Sequence, residues 1–279
     1  MLSYRHAFHA GNHADILKHW VEVLCIEYLK KKDKPFFYID THAGAGVYAL
    51  YEGYAQKTSE YKDGIGRLWG QKNAPDVFRE LLGCVRACNE TTLKYYPGSP
   101  SIAAQLLRPD DRLRLVEMHT SDLRHLGKNL GDDPRVQVID GDGFEQIKAL
   151  LPPPSRRGLV LIDPPYEIKD DYRRVLSGLQ EGLKRFATGT YLVWYPLLNA
   201  NYSQRFAGQL QQLPADNWLN VQLQVTEMPG GHGMYGSGMF VINPPYVLRE
   251  QLLQGLPWLV QQLAQGEGAD YTLDVSPGA

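Results

Sequence analysis

A run of apolar β-formers, Phe36 to Ile39, ends directly in Asp40-Thr41-His42-Ala43-Gly44-Ala45-Gly46, and no other stretch constrains the fold as strongly. Aromatic and β-branched residues favour a buried strand, and the small residues after it permit a tight turn and a close backbone approach to a ligand. Doubly wound α/β folds cradle a nucleotide-like group in this way, at the carboxyl ends of their strands. The turn lacks the third spaced glycine of a dinucleotide fingerprint, which sets it apart from a dinucleotide site.

The acid that binds ribose hydroxyls usually ends the next strand, about 20 residues after the glycines. No strand appears that soon. Ser59 to Trp69 and Pro75 to Asn89 carry apolar residues at helical spacing instead. They are read as a helical insertion over residues 54–97, set in a core made of residues 1–53 and 98–279. Ser99-Pro100 starts a new helix after the turn Tyr96-Pro97-Gly98. The delayed second strand, Leu113 to Val116, ends at Glu117, the expected ribose ligand. A third, Arg135 to Ile139, runs into Asp140-Gly141-Asp142-Gly143-Phe144, where an aspartate can accept from an adenine amine and Phe144 can flank the ring.

The fourth strand, Leu159 to Ile162, opens onto Asp163-Pro164-Pro165-Tyr166. Neither proline donates a backbone hydrogen bond, each fixes its own φ, and Pro165 drives Pro164 into an extended conformation. Asp163 and the carbonyls beside it are therefore held in place beforehand. A carboxylate and the Pro164 carbonyl can take the two N–H bonds of a primary amine on a flat ring, with Tyr166 stacked on that ring. The tetrapeptide resembles the Asp/Asn-Pro-Pro-Tyr/Phe loop of methyltransferases that modify amino groups with S-adenosylmethionine as donor. Asn243-Pro244-Pro245-Tyr246 repeats the pattern after Met239 to Ile242. Order separates the two: Asp163 follows the strand expected beside the glycine strand, whereas Asn243 follows the last strand, which runs in reverse. The order of acid, glycine turn and Asp-Pro-Pro-Tyr resembles class I S-adenosylmethionine-dependent methyltransferases, an α/β Rossmann-like fold with a seven-stranded sheet and a reversed last strand. Between the sixth strand, Asn220 to Glu227, and the seventh lies the glycine-rich stretch 228–238, expected to be a mobile, substrate-facing flap. The tail from Gly266 is expected to fray.

Composition sets outer limits. A hydrophobic content of 43% suffices for a core, and a net charge of −2 means that nucleic acid would be held by local basic patches and not by a global field. Three cysteines without a Cys-x-x-Cys pair fit a reducing compartment. No apolar run is long enough to span a bilayer, so no membrane association and a cytoplasmic location are expected. A helix starts at Asn12, with Asp15 three residues on in a box-like arrangement. His6, His9, His13 and His19 lie in or before it without an accompanying cysteine or carboxylate set, so no metal is expected.

Tyr4-Arg5-His6, Phe8-His9-Ala10-Gly11-Asn12-His13-Ala14-Asp15 and Leu17-Lys18-His19, with the glycine turn, Tyr96-Pro97-Gly98-Ser99-Pro100 and Asp163-Pro164-Pro165-Tyr166, resemble the bacterial RlmJ family over essentially the whole chain. Members of that family methylate N6 of an adenine in 23S ribosomal RNA. The resemblance implies S-adenosyl-L-methionine contacts at His19, His42, Ser99, Glu117, Asp142 and Gly143, and Asp163 as the catalytic residue. It implies S-adenosyl-L-homocysteine as product, and Tyr4 touching RNA. Gly44, from the glycine turn, joins the cofactor set; Arg5, beside Tyr4, and the basic groups at Lys30 to Lys34, Arg156 and Arg157 are expected RNA contacts. A monomer is expected. The same amine-presenting loop also suits a DNA adenine-N6 or a protein glutamine-N5 methyltransferase, and a non-catalytic RNA-binding module is the alternative of another class.

Overall fold

The structure, a computed structural model, describes residues 6–198, 200–228 and 233–277. Tyr4 and Arg5, both expected to touch RNA, lie outside the described residues. In chain order the elements are α1 (His13–Lys30), β1 (Phe37–Asp40), β2 (Val47–Ala49), α2 (Gly53–Thr58), α3 (Ile65–Leu68), α4 (Arg79–Ala87), β3 (Tyr95–Pro97), α5 (Ser99–Leu106), β4 (Arg112–Glu117) and α6 (Thr120–Leu130). They continue with β5 (Val136–Asp140), α7 (Gly143–Leu150), β6 (Gly158–Ile162), α8 (Asp170–Arg185), β7 (Thr190–Leu197), α9 (Ala200–Gln211), β8 (Trp218–Gln224), β9 (Gly236–Ile242), α10 (Leu248–Leu263) and β10 (Asp270–Val275).

Eight strands form one sheet in the order β5-β4-β1-β6-β7-β9-β8-β10. β5, β4, β1, β6 and β7 are parallel neighbours, and β9 runs against both β7 and β8. The seven strands read from the sequence are all present, with the reversed one between the fifth and sixth. The eighth is a difference: the tail expected to fray forms β10, paired from Asp270 with Gln224 to Val275 with Leu219. It satisfies the backbone groups of β8 on a side that would otherwise be an open edge. A separate ribbon pairs β2 with β3, Val47 opposite Pro97, and so brings the two ends of segment 54–97 together.

The central strands are buried on both faces, which is why they read as unbroken apolar runs. Tyr38, Leu159 and Leu161 point into a core with α1, α4, α5 and α10, while Ile39, Val160 and Ile162 point to the other side, against α7, α8 and α9. α9 was missed because its buried positions, Phe206, Ala207 and Leu210, are few and close together. In α1 every residue from His13 to Ile26 is buried, including Asp15, Lys18, His19 and Glu22. Those four recur at i, i+3, i+4 and i+7, so one stripe of an otherwise apolar helix is ionisable. Two glycines of the stretch expected to be mobile, Gly236 and Gly238, lie within β9 and serve packing. A Cβ on Gly236 would stand 2.2 Å from the Leu223 carbonyl oxygen, and one on Gly238 would stand 2.3 Å from the Tyr195 ring. Residues 229–232 of that stretch lie outside the described residues. Among the described residues no helix is long and apolar enough to cross a membrane.

Candidate active site

Parallel strands deliver their carboxyl ends to one edge of the sheet, and the loops that follow them open into a single cleft. Its empty space, mouth included, is about 1130 Å³. His42 and Gly44 enter it from the turn after β1, Glu117 from the end of β4, Asp142 and Gly143 from the loop after β5, and Asp163 from the end of β6. His19 of α1 and Ser99 at the start of α5 complete the set from the helical side.

Each of these side chains is fixed by a specific partner. Glu117 Oε2 accepts from Gly44 N at 2.8 Å and Oε1 from His119 N at 2.6 Å, which ties the glycine turn to the neighbouring strand. Burial raises the Glu117 pKa against the pull of those two N–H groups. Asp142 caps α7, its Oδ1 accepting from Phe144 N at 2.9 Å, while Oδ2 pairs with Arg174. Burial pushes its pKa up, but Arg174 and the cap outweigh it and the net shift is downward. Ser99 Oγ donates to Asp40 Oδ2 at 2.7 Å. Burial lowers the His42 pKa to about 4 and the His19 pKa to about 3, so both imidazoles are neutral near pH 7. His19 Nδ1 meets the Tyr96 hydroxyl at 2.8 Å, and its buried Nε2 makes no hydrogen bond, Asp15 Oδ1 lying 4.0 Å away. A polar atom left in that state at a cleft wall calls for a ligand.

Gly143 is the tightest point. A Cβ there would lie 1.9 Å from the Thr41 carbonyl oxygen, so the loop after β5 can sit on the glycine turn only without a side chain. Gly143→Ala is expected to force the two loops apart, costing about 1–3 kcal/mol of stability by overpacking. Ligand affinity should fall at least about tenfold, since the change reshapes the cleft floor and not only the core. Isothermal titration with S-adenosylhomocysteine and a melting curve check both parts.

The largest feature that sequence reasoning missed is a buried ionic chain. Lys18 Nζ lies 2.6 Å from Asp163 Oδ2 and 2.8 Å from Asp15 Oδ1. Asp15 Oδ2 in turn meets His6 Nε2 at 3.0 Å and accepts from Gly11 N at 2.8 Å. Burial pulls the Lys18 pKa down, but Asp15 and Asp163 together raise it well above the usual lysine value. Burial likewise pushes Asp15 up, yet His6 and Lys18 hold it well below the usual carboxylate range. The ionisable stripe on α1 was the available signal for Lys18.

Several expected residues are not brought to the cleft wall. Pro164 is buried and does not line it, whereas Pro165 does. Tyr166, expected to stack on a substrate ring, is buried at φ +51 among Tyr172, Trp194 and Phe206, with its hydroxyl donating to the Trp194 carbonyl at 2.6 Å. The basic groups read as RNA contacts are also displaced. Arg157 donates to the carbonyls of Leu29 and Lys34, and Arg108 to those of Lys30, Lys32 and Lys34. These contacts sit where the chain enters β1 and β6, at the amino ends of the strands and across the sheet from the cleft. Asn243 lies toward that side as well: its Nδ2 donates to the carbonyls of Ala187 and Gly189, just before β7 begins. Among the described residues no group of three or more histidine, cysteine or acidic side chains is arranged to hold a metal.

Five parallel strands, a reversed strand between the fifth and sixth, and a cleft at the carboxyl edge under a glycine turn define a class I methyltransferase fold. The comparisons carry this further. The sequence model of the family described as "Ribosomal RNA large subunit methyltransferase D, RlmJ" matches residues 33–274, and the chain belongs to that family. It is 51% identical over 264 residues to "Ribosomal RNA large subunit methyltransferase J" of Escherichia coli (strain K12), covering 94% of each chain. The protein of the same name from Haemophilus influenzae is 48% identical over 276 residues, covering 98% of each. The crystal structure of protein LPL1258 from Legionella pneumophila superposes with a TM-score of 0.88 at 35% identity, over 97% of this chain and 99% of that one.

Proposed function

We propose that this chain transfers the methyl group of S-adenosylmethionine to N6 of an adenine in 23S ribosomal RNA. The observation that carries the reading is that Asp163 lines the same cleft as Glu117, Asp142 and the glycine turn, in a chain whose relatives are named for ribosomal RNA methylation. The donor set suits the cofactor. Glu117 can accept from a ribose diol, Asp142 from an adenine amine, and His19 Nε2, which makes no hydrogen bond, offers one further polar contact. His42, Gly44, Ser99 and Gly143 would complete the enclosure. When bound, S-adenosylmethionine supplies an electrophilic methyl on a positively charged sulfur.

The rest of the chemistry belongs to the chain. The target adenine leaves its stack and enters the cleft mouth. Lys18 occupies Asp163 Oδ2, so Oδ1 is the acceptor that faces an N6 hydrogen. Accepting it draws the nitrogen lone pair out of conjugation and aims it at the methyl, and the same carboxylate offsets the positive charge that grows on nitrogen. Tyr166 contributes as the buried post that fixes the loop's turn. Tyr4 and Arg5 immediately precede His6, a residue of the cleft wall, and are the proposed RNA contacts. We further infer that a single chain suffices, with residues 54–97 as a helical insertion in the core 1–53 and 98–279, acting in the cytoplasm where ribosomes are assembled.

The test is transfer of labelled methyl to separate pools of 23S RNA, DNA and protein, with 23S RNA taken from a strain lacking the gene. Mass mapping should find one N6-methyladenine per 23S RNA, formed on deletion-strain RNA and not on wild-type RNA. Label entering DNA or a glutamine side chain instead would reject the substrate.

A further inference from the structure

We propose that Glu60, in segment 54–97, is a positioning residue for the methyl transfer, fixing Phe8–Asn12 and, through the cap of α1, the lysine that holds Asp163. The inference rests on the function proposed above and gives segment 54–97 a role in it. Glu60 reaches across with both oxygens: each lies 3.0 Å from His9 Nδ1, and Oε2 also accepts from Asn12 Nδ2 at 2.9 Å. Its neighbours grip the same stretch by the backbone. Thr58 Oγ1 donates to the Phe8 carbonyl at 2.5 Å, and Ile65 N donates to the Gly11 carbonyl at 2.8 Å. The approach is close enough that a Cβ on Gly64 would stand 2.0 Å from the Gly11 carbonyl oxygen.

A carboxylate at this place decides how Asn12 points. An amide has one donating end and one accepting end. Because Glu60 takes the amino end, Oδ1 faces α1, where it accepts from Ala14 N and Asp15 N at 3.0 Å each. The capped first turn then fixes Asp15, which holds Lys18 at 2.8 Å, which holds Asp163 at 2.6 Å. Every step from Glu60 to the cleft is a hydrogen bond or ion pair of ordinary length. Side chains joined in one such network are the ones that couple energetically.

The experiment is a double-mutant cycle on the full chain, Glu60→Ala against Lys18→Met, read as single-turnover methyl transfer to deletion-strain 23S RNA. Glu60→Ala alone should lower the single-turnover rate about tenfold, a loss of the size that a small misplacement of a catalytic group produces, with S-adenosylhomocysteine affinity unchanged. Glu60→Gln, which keeps one acceptor, should recover most of the rate. In the Lys18→Met background the Glu60→Ala effect should shrink to less than about twofold, because the relay is already cut. A full, multiplicative loss in that background overturns the proposal, as does an unaltered rate in Glu60→Ala. Should Glu60→Ala not fold, the cycle is run with Glu60→Met, which fills the space but removes both acceptors, under the same criterion. Absence of transfer by the unsubstituted protein would instead reject the function, a result distinct from either.

Discussion

Replacing Asp163 by alanine is expected to lower single-turnover methyl transfer by about 10²- to 10³-fold, the range measured when one preorganised electrostatic partner of a transition state is removed. S-adenosylhomocysteine affinity should stay within about threefold, because Glu117, Asp142 and the glycine turn are held by partners other than Asp163. The effect goes beyond one lost acceptor. Lys18 keeps Asp15 but loses its contact at 2.6 Å, so a cation that had been shared comes to face the amine it should not repel. Asp163→Asn separates the two contributions: an acceptor returns while the ion pair does not, and an intermediate rate should result. Equal rates in Asp163→Ala and the unsubstituted protein, or a rate loss matched by lost cofactor affinity, would remove Asp163 from the chemistry.

Lys18→Met should produce the largest change in stability. The side chain is almost completely buried between two carboxylates, and removing the cation from such a pair typically costs about 3–5 kcal/mol because the acids remain without it. For a chain of this size that corresponds to a melting point lower by roughly 5–10 °C. The pH dependence has a definite sign. The folded value of Asp15 is depressed, so its contribution is complete above the unfolded carboxylate value of about 4 and is lost as the pH falls through the folded one. The folded value of Lys18 is raised, so its contribution is complete below the unfolded lysine value of about 10 and is lost only as the pH rises beyond the folded one. The deficit of the variant should therefore be full at pH 7 and narrow on acidification, as protonation of Asp15 relieves the unpaired charge. Urea titrations at pH 7 and pH 3.5 measure it, and a gap that widens in acid would contradict the pairing.

What could be read from the sequence was governed by distance along the chain. Strand ends are local events: an apolar run stops and an acid or a glycine follows, so Glu117, Asp142 and Asp163 could be singled out before their strands were known to be neighbours. The Lys18–Asp163 contact joins positions 145 residues apart, and no local pattern encodes it. Only the ionisable stripe at Asp15, Lys18, His19 and Glu22 hinted that α1 turns polar groups toward the sheet. Tyr166 was misplaced for a related reason. Composition says that a ring follows two prolines, but a backbone at φ +51 decides which way the ring goes, and that turn depends on Tyr172 and Phe206 being there to receive it. β10 does carry a local signal, Tyr271, Leu273 and Val275 alternating with Asp270, Thr272 and Asp274, and the apolar three pack against the core; its place at the end of the chain beside glycines and a proline obscured it.

The guanidinium clamp at the amino ends of β1 and β6 bears on how a polyanion would be felt. Arg108 and Arg157 are engaged with main-chain oxygens and are not at liberty to displace the sodium or potassium ions condensed along a phosphate backbone. Two of the chain's 29 lysines and arginines are thereby withdrawn from any ionic-strength response of docking, and a count of basic residues overstates it by that much.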